Sequence, residues 1–285
     1  MKLIRFGKQG EEKPGILLSN DEKIDVSSFV SDYDEKFFES GGLASLKDWL
    51  NENESSAPRL DDSIRLGSPI ARPSKIICIG LNFKDHAAES GFDAPDEPLI
   101  FGKATSAICG PYDNIIIPRG SEQTDWEVEL GVVIGKKTSY VDQDQALDHV
   151  GGYVLHNDVS ERAFQKDRGG QWIKGKSADT FAPMGPFMAT PDEIDNIGDM
   201  RMWLNVNGEN MQDGNTSNLI FSVDHVVSYL SQFMTLLAGD VISTGTPAGV
   251  GMGMNPEKYL KPGDVVELGI DGLGSSKQNV VAYEE

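Results

Sequence analysis

The sequence predicts an α+β fold in which β structure dominates. Its 285 residues include 31 glycines and 14 prolines, a composition that divides a chain into many turns. Between those turns lie short apolar segments of strand length, separated by Gly, Pro, Asn and Asp. Apolar residues at helical spacing are confined to a few stretches. Charged residues make up 25% and hydrophobic ones 39%, the balance of a globular chain and not of a disordered one. The length suits one large domain, or a small one followed by a larger, and allows a core that needs no disulfide or metal staple.

Residues 1–70 read as a small α+β leading unit. Lys2–Phe6 and Gly15–Leu18 predict two short strands joined by a polar turn. Leu43, Leu46, Trp49 and Leu50 recur at helical spacing and predict a short amphipathic helix over Leu43–Leu50. Asn51–Asp62 is polar, contains Pro58, and reads as a loop. A boundary falls between Pro69 and Pro73, so residues 71–285 form the larger unit. Lys75–Gly80 predicts an apolar strand, Asn82–Ser90 a helix, and Leu99–Phe101 another strand after the breaks at Pro95 and Pro98. Further strands are expected at Asn114–Ile117, Glu127–Ile134, Tyr153–His156, Met202–Val206, Asp240–Ser243 and Val265–Ile270. One late helix is expected over Val223–Leu237, with Val226, Val227, Leu230, Phe233, Met234 and Leu237 on roughly one face.

Acidic residues number 45 against 25 basic ones, a formal net charge of −20. A surface that acidic repels phosphate backbones, so no nucleic-acid partner is expected. The same field repels anionic substrates, so a pocket for an acid needs local positive charge or a metal. The two cysteines, Cys78 and Cys109, make no disulfide framework, which fits a reducing, cytoplasmic setting. The start MKLIRFGKQG has no apolar core of a signal peptide, and no apolar run reaches the ~18 residues a membrane span needs.

Thr124-Asp125-Trp126-Glu127-Val128-Glu129-Leu130 carries the strongest chemical signal. Side chains alternate along a strand, so Glu127 and Glu129 face one way and Trp126, Val128 and Leu130 the other. The following Gly131–Ile134 is too apolar for a free surface strand. Two like charges in a buried strand repel, and each costs several kcal/mol to desolvate. A hard divalent cation with oxygen ligands removes both problems. Asp158, at the polar end of the apolar segment Gly152–Leu155, is a candidate third ligand. The alternative is a solvated acidic strand face.

His86 lies three residues before Glu89, a spacing that makes neighbours on a helix. A carboxylate beside an imidazole orients it and makes it a better base. Gly91 and a proline-containing loop follow, which suits a mobile lid; the alternative is an ordinary surface pair. The segment Ser160–Ser177 concentrates groups that bind carboxylates and carbonyls. Arg162 and Gln165 share a helical face there, and Lys176 stands among small residues that let a ligand approach. The alternative is an exposed basic loop. Gly245-Thr246-Pro247-Ala248-Gly249-Val250-Gly251 lacks the Lys-Ser/Thr of a phosphate loop and precedes no helix, so it reads as a turn lining a pocket, with Thr246 able to donate a hydrogen bond. No serine or cysteine stands in a nucleophile elbow. His149 and His225 lack acidic partners and read as structural.

Taken together, these blocks resemble the fumarylacetoacetate hydrolase superfamily. The resemblance rests on Gly80-Leu81-Asn82-Phe83 with His86 and Glu89; Phe101-Gly102-Lys103; Asp125–Glu129; Asn157–Arg162; Gly175–Phe181; Val206–Glu209; and Thr244–Pro247, in order over about residues 70–285. It implies a rolled mixed β-sheet catalytic domain behind a small N-terminal one, and a homodimer. It implies Mg²⁺ or Mn²⁺ held by Glu127, Glu129 and Asp158. It gives the catalytic roles to His86, Glu89 and Lys176, and substrate contacts to Lys103, Arg162, Gln165 and Thr246. The block Ser160–Pro186, with Arg168-Gly169-Gly170-Gln171-Trp172, is most similar to members acting on 2,4-diketo-3-deoxy sugar acids.

The activity implied is hydrolysis of the C3–C4 bond of a 2,4-dioxo acid, an acylpyruvate, through a metal-stabilised enolate. A substrate such as 2,4-diketo-3-deoxy-L-fuconate would give pyruvate and lactate. The same site suits oxaloacetate decarboxylation or tautomerisation, dienoate isomerisation or hydration, and ureidoglycolate cleavage. Outside the enzymes, the alternative is a metal- or small-acid-binding protein without turnover.

Overall fold

Val128–Ile134 is buried at every position. A strand with no solvent face belongs inside a sheet covered on both sides. In the computed structural model, which describes residues 1–89, 91 and 94–284, it occupies that place. The strands are β1 (Lys2–Phe6), β2 (Lys13–Leu17), β3 (Lys23–Asp25), β4 (Ile76–Gly80), β5 (Leu99–Lys103), β6 (Ile115–Ile117) and β7 (Val128–Ile134). They continue with β8 (Val150–Asn157), β9 (Ala182–Ala189), β10 (Arg201–Val206), β11 (Glu209–Asn215), β12 (Val241–Ser243), β13 (Val265–Ile270) and β14 (Gly274–Ala282). The helices are α1 (Glu35–Glu39), α2 (Gly42–Asn53), α3 (Lys84–Glu89), α4 (Arg162–Lys166), α5 (Ile173–Lys176) and α6 (Val223–Ser231).

The main sheet runs β3-β2-β1-β9-β8-β7-β12-β4-β5. Its register places Leu130 opposite Leu155 on one side of β7 and Val132 opposite Ile242 on the other. Most pairs are antiparallel, but β12 and β4 are parallel, with Ile242 opposite Ile77. A second sheet runs β11-β10-β13-β14-β6. Apolar side chains from Leu3 to Val280 join in one core. Cys78 and Cys109 are buried free thiols, and burial pushes both thiols up, away from reactivity.

The anticipated boundary near residue 70 is no break in the sheet. β1 pairs with β9, Leu3 opposite Met188, so the N-terminal strands extend the sheet that carries the acidic strand. The helix expected over Val223–Leu237 ends at Ser231. Beyond it Leu236 is extended and bridges Thr138, which buries it without helical geometry, while Phe233 is left 62% exposed. The apolar spacing there continues past the helix because two different structures bury its residues. Of the helix expected over Asn82–Ser90, Lys84–Glu89 is helical; Ser90 lies outside the described residues, as do Phe92 and Asp93 of the expected lid loop. No helix among the described residues is long and apolar enough to cross a membrane.

Candidate metal centre and active site

Glu127 immediately precedes β7 and Glu129 lies within it. Both are buried, as are the apolar Trp126, Val128 and Leu130 between and beside them. Asp158 follows the end of β8, the neighbouring strand, and its N–H donates to the Glu127 carbonyl at 2.9 Å. That pairing brings the three carboxylates together. One oxygen from each lies within 4.8 Å of the others, and all three residues are buried.

Three cations hold this cluster. Lys176 Nζ donates to Glu127 Oε2 at 2.6 Å and to Asp158 Oδ2 at 2.7 Å. Lys103 Nζ donates to Asp158 Oδ1 and to the Val159 carbonyl. Arg162 donates to Glu127 Oε1 at 2.7 Å, to Asp125 Oδ2 at 2.8 Å, and to Gln165 Oε1 at 3.2 Å. Asp125 also accepts the N–H groups of Gly251 and Met252, which ties the glycine-rich loop to the cluster. By formal charge, four buried carboxylates face three buried cations, so the cluster keeps one negative charge. A dication and a monoanionic ligand together would close that balance.

The titration of the buried groups follows from these contacts. Burial pushes Asp158 up, but Lys103 and Lys176 outweigh it and hold the carboxyl well below the usual range. Burial pushes Lys176 and Arg162 down, and their carboxylate partners reverse that, so both stay firmly protonated. Glu129 differs. Its Oε2 accepts from Ser243 Oγ at 2.5 Å and from the Gly245 N–H at 2.9 Å, and no cation among the described residues pairs with it. Burial first, then Asp158 and Glu127, raise its carboxyl well above the ordinary value. A bound dication would reverse that. The donor set is all carboxylate oxygen, which suits Mg²⁺ or Mn²⁺ and lacks the nitrogen and sulfur ligands of zinc sites.

A cavity of about 800 Å³ opens onto the cluster. Glu127, Glu129, Lys176, Arg162, Gln165 and Thr246 line its polar end. His86 and Glu89 of α3 line it too, with Nδ1 and Oε2 3.4 Å apart. Both Glu89 oxygens accept the Gly249 N–H, so α3 is docked on the glycine-rich loop. Apolar side chains line the cavity as well: Leu81, Leu99, Phe101, Trp172 and Met252, with the Phe101 ring 4.9 Å from Lys176 Nζ. A second cavity, of about 570 Å³ beside Arg119 and Tyr283, shares no lining residue with the first and holds no acidic cluster.

The structure refines three of the expected contacts. Lys103 does not line the cavity; its side chain is fully buried against Asp158, so it acts on the cluster and not on the cavity. Thr246 lines the cavity, but its hydroxyl donates to the Val128 carbonyl at 3.0 Å and accepts from Gln212 at 2.9 Å, so its proton is already used. Gly175 does not open a path to Lys176: a Cβ there would stand 2.4 Å from the Glu161 carbonyl, so it serves the close packing of α5. Sequence reasoning passed over Asp125, Ser243 and His156. Asp125 continues the Glu127, Glu129 alternation one step back, a signal that was available. Ser243 and His156 lie in apolar strands and offered none.

A family model for the C-terminal domain of fumarylacetoacetate (FAA) hydrolase matches residues 75–281. This chain belongs to the fumarylacetoacetate hydrolase family. A Burkholderia multivorans protein named only as a hydrolase is 50% identical over 279 residues, 98% of each chain. The solved fumarylacetoacetate hydrolase of Exiguobacterium antarcticum is 36% identical, covers 99% of this chain and all of its own, and superposes with a TM-score of 0.87. Maleylpyruvate hydrolase from Sphingobium sp. SYK-6, solved with manganese(II) and pyruvate, is 27% identical over the whole of both chains, with a TM-score of 0.83. The family thus accounts for a mixed, sheet-rich fold with few helices.

Proposed function

We propose that this protein is a Mg²⁺- or Mn²⁺-dependent hydrolase that cleaves the C3–C4 bond of a 2,4-dioxo acid. The observation that carries the reading is the buried carboxylate triad, its oxygens within 4.8 Å, two of whose members, Glu127 and Glu129, line the same cavity as the His86–Glu89 pair. Glu127, Glu129 and Asp158 would hold the cation. The cation supplies Lewis-acid charge for the pyruvoyl end and for the enolate it becomes. The manganese and pyruvate of the Sphingobium maleylpyruvate hydrolase support this assignment.

The side chains divide the remaining work. Glu89 accepts from His86 Nδ1–H and leaves Nε2 to take a proton from water. The resulting hydroxide attacks C4, and Lys176 and Gln165 stand at the polar end to stabilise the oxyanion. The C3–C4 electron pair leaves to the pyruvoyl side. The proton returns at C3, giving pyruvate and a second acid. Arg162, locked between Asp125 and Glu127, positions the cluster. A sugar-derived dioxo acid such as 2,4-diketo-3-deoxy-L-fuconate is the proposed substrate, and a cytoplasmic homodimer the proposed form.

A second reading has an observation of its own. The apolar wall of Leu81, Leu99, Phe101, Trp172 and Met252 suits an unsaturated hydrocarbon chain, as in a dienoate isomerase or hydratase. A panel of acylpyruvates, oxaloacetate, a 2-hydroxydienoate and ureidoglycolate, run with and without EDTA, separates the readings. Metal-dependent release of pyruvate from acylpyruvates supports the hydrolase. Turnover of the dienoate alone favours the isomerase, and no turnover of any compound by Mg²⁺-loaded protein leaves a binding protein.

A further inference from the structure

We propose that His156 is a positioning residue for Glu129, donating from Nδ1–H to Ser243, which donates in turn to Glu129. The inference rests on the metal-centre reading above and extends it to a residue that touches neither the cavity nor the carboxylates. It starts from the sheet. In β7 and β8, Glu129 stands directly opposite His156, so both side chains rise from the same face. On the other side of β7, Ser243 of β12 stands opposite Gly131. Gly131 is two residues on from Glu129 and therefore shares its face. It puts no side chain there, and a Cβ on it would stand 3.8 Å from His156 Cβ. The imidazole and the hydroxyl meet across the strand, Nδ1 to Oγ, at 2.6 Å.

Proton accounting fixes the direction of the chain. Ser243 has a single hydroxyl proton. Its Oγ lies 2.5 Å from Glu129 Oε2, which also accepts the Gly245 N–H at 2.9 Å. An ionised carboxylate, which a cation ligand is, donates nothing. The Ser243 proton therefore lies toward Glu129, and the contact with His156 requires Nδ1–H to donate to Ser243. Nε2 takes no part in the link. It is the buried side-chain nitrogen that finds no partner among the described residues. A ring flip would replace Nδ1 with a C–H and break the link. The result is a carboxylate with Oε2 held by two donors and Oε1 left for the cation, much as outer partners orient ligands in metal sites generally.

Two measurements test this. In histidine-labelled, Mg²⁺-loaded protein, ¹⁵N NMR should place His156 Nδ1 in the protonated range, with His156→Gln giving the assignment among the four histidines. By calorimetry, His156→Leu and Ser243→Ala should each weaken Mg²⁺ binding by roughly tenfold. His156→Asn, which keeps a donor near the Nδ1 position, should restore most of it. The double variant His156→Leu/Ser243→Ala should be no worse than either single one, because both break one chain. If His156→Leu does not fold, the tautomer and Ser243→Ala still decide. Mg²⁺ binding with Nδ1 unprotonated, or with affinity unchanged in Ser243→Ala, overturns the inference and leaves the metal centre standing. No Mg²⁺ binding by the unaltered protein overturns both.

Discussion

Glu89 accepts the backbone N–H of Gly249 with both carboxylate oxygens, at 3.0 and 3.1 Å. This contact joins α3, which carries His86, to the loop that Asp125 ties to the acidic cluster. The carboxylate that orients the proposed base is itself set by the backbone of the pocket. Gly253 borders the same carboxylate: a Cβ there would stand 2.5 Å from Glu89 Cδ. Gly253→Ala should push Glu89 aside, cheaply for stability because the end of a flexible side chain gives way. The activity cost is expected to reach about 100-fold, the scale of a 1 Å misplacement. A kcat assay beside a melting curve checks it; a lost fold with the rate per folded molecule intact would contradict the positioning role.

His86→Ala removes the proposed base and leaves the carboxylates alone. The turnover rate should fall by about 10²–10⁴-fold, the usual contribution of a general base. Mg²⁺ binding should not change. An unaltered rate would remove the His86–Glu89 pair from the mechanism.

Glu127→Gln should be costly in two ways. It removes a proposed ligand, and it turns an amide NH₂ toward either Arg162 or Lys176, both of which donate to Glu127 now. One buried donor pair then faces another with no acceptor between them. The expected destabilisation is on the order of 3 kcal/mol, typical of breaking a buried ion pair. Mg²⁺ affinity should fall at least about tenfold. Calorimetry showing Mg²⁺ binding unchanged would free Glu127 from the ligand set.

The pH dependence of stability should carry the signature of His156. Burial pushes its imidazole down to about 3, against 6.5 for an unperturbed histidine. Between those values the unfolded chain binds a proton that the folded one refuses. Stability contributed here is present above about pH 6.5 and is lost as the pH falls toward 3. The loss between pH 6.5 and 5 is about 2 kcal/mol. The raised Glu129 carboxyl contributes the opposite slope in metal-free protein, so the His156 share is read as the difference in urea stability between the unaltered protein and His156→Asn at the two pH values.

The β-rich character, the position of the acidic strand and the family could all be read from the residues in order. Alternation in Asp125–Glu129 and the apolar run behind it were local signals, and strand periodicity is local. Glu127 and Glu129 stood out for the same reason, as charged groups in an apolar strand, while His86 and Glu89 were singled out by their helical spacing and Arg162, Gln165 and Lys176 by a cationic segment. What those groups touch emerges with the fold. Lys103, to which the family resemblance gives a substrate contact, and Arg162, read within a cationic segment, spend their charge on Asp158, Asp125 and Glu127. The link from His156 to Glu129 depends on which strands flank β7, a choice made by pairing across 87 residues of chain. The N-terminal strands join the main sheet for a similar reason: a free sheet edge accepts any partner of matching register. Backbone pairing at long range is fixed by the packing of the whole core, and no window of sequence carries it.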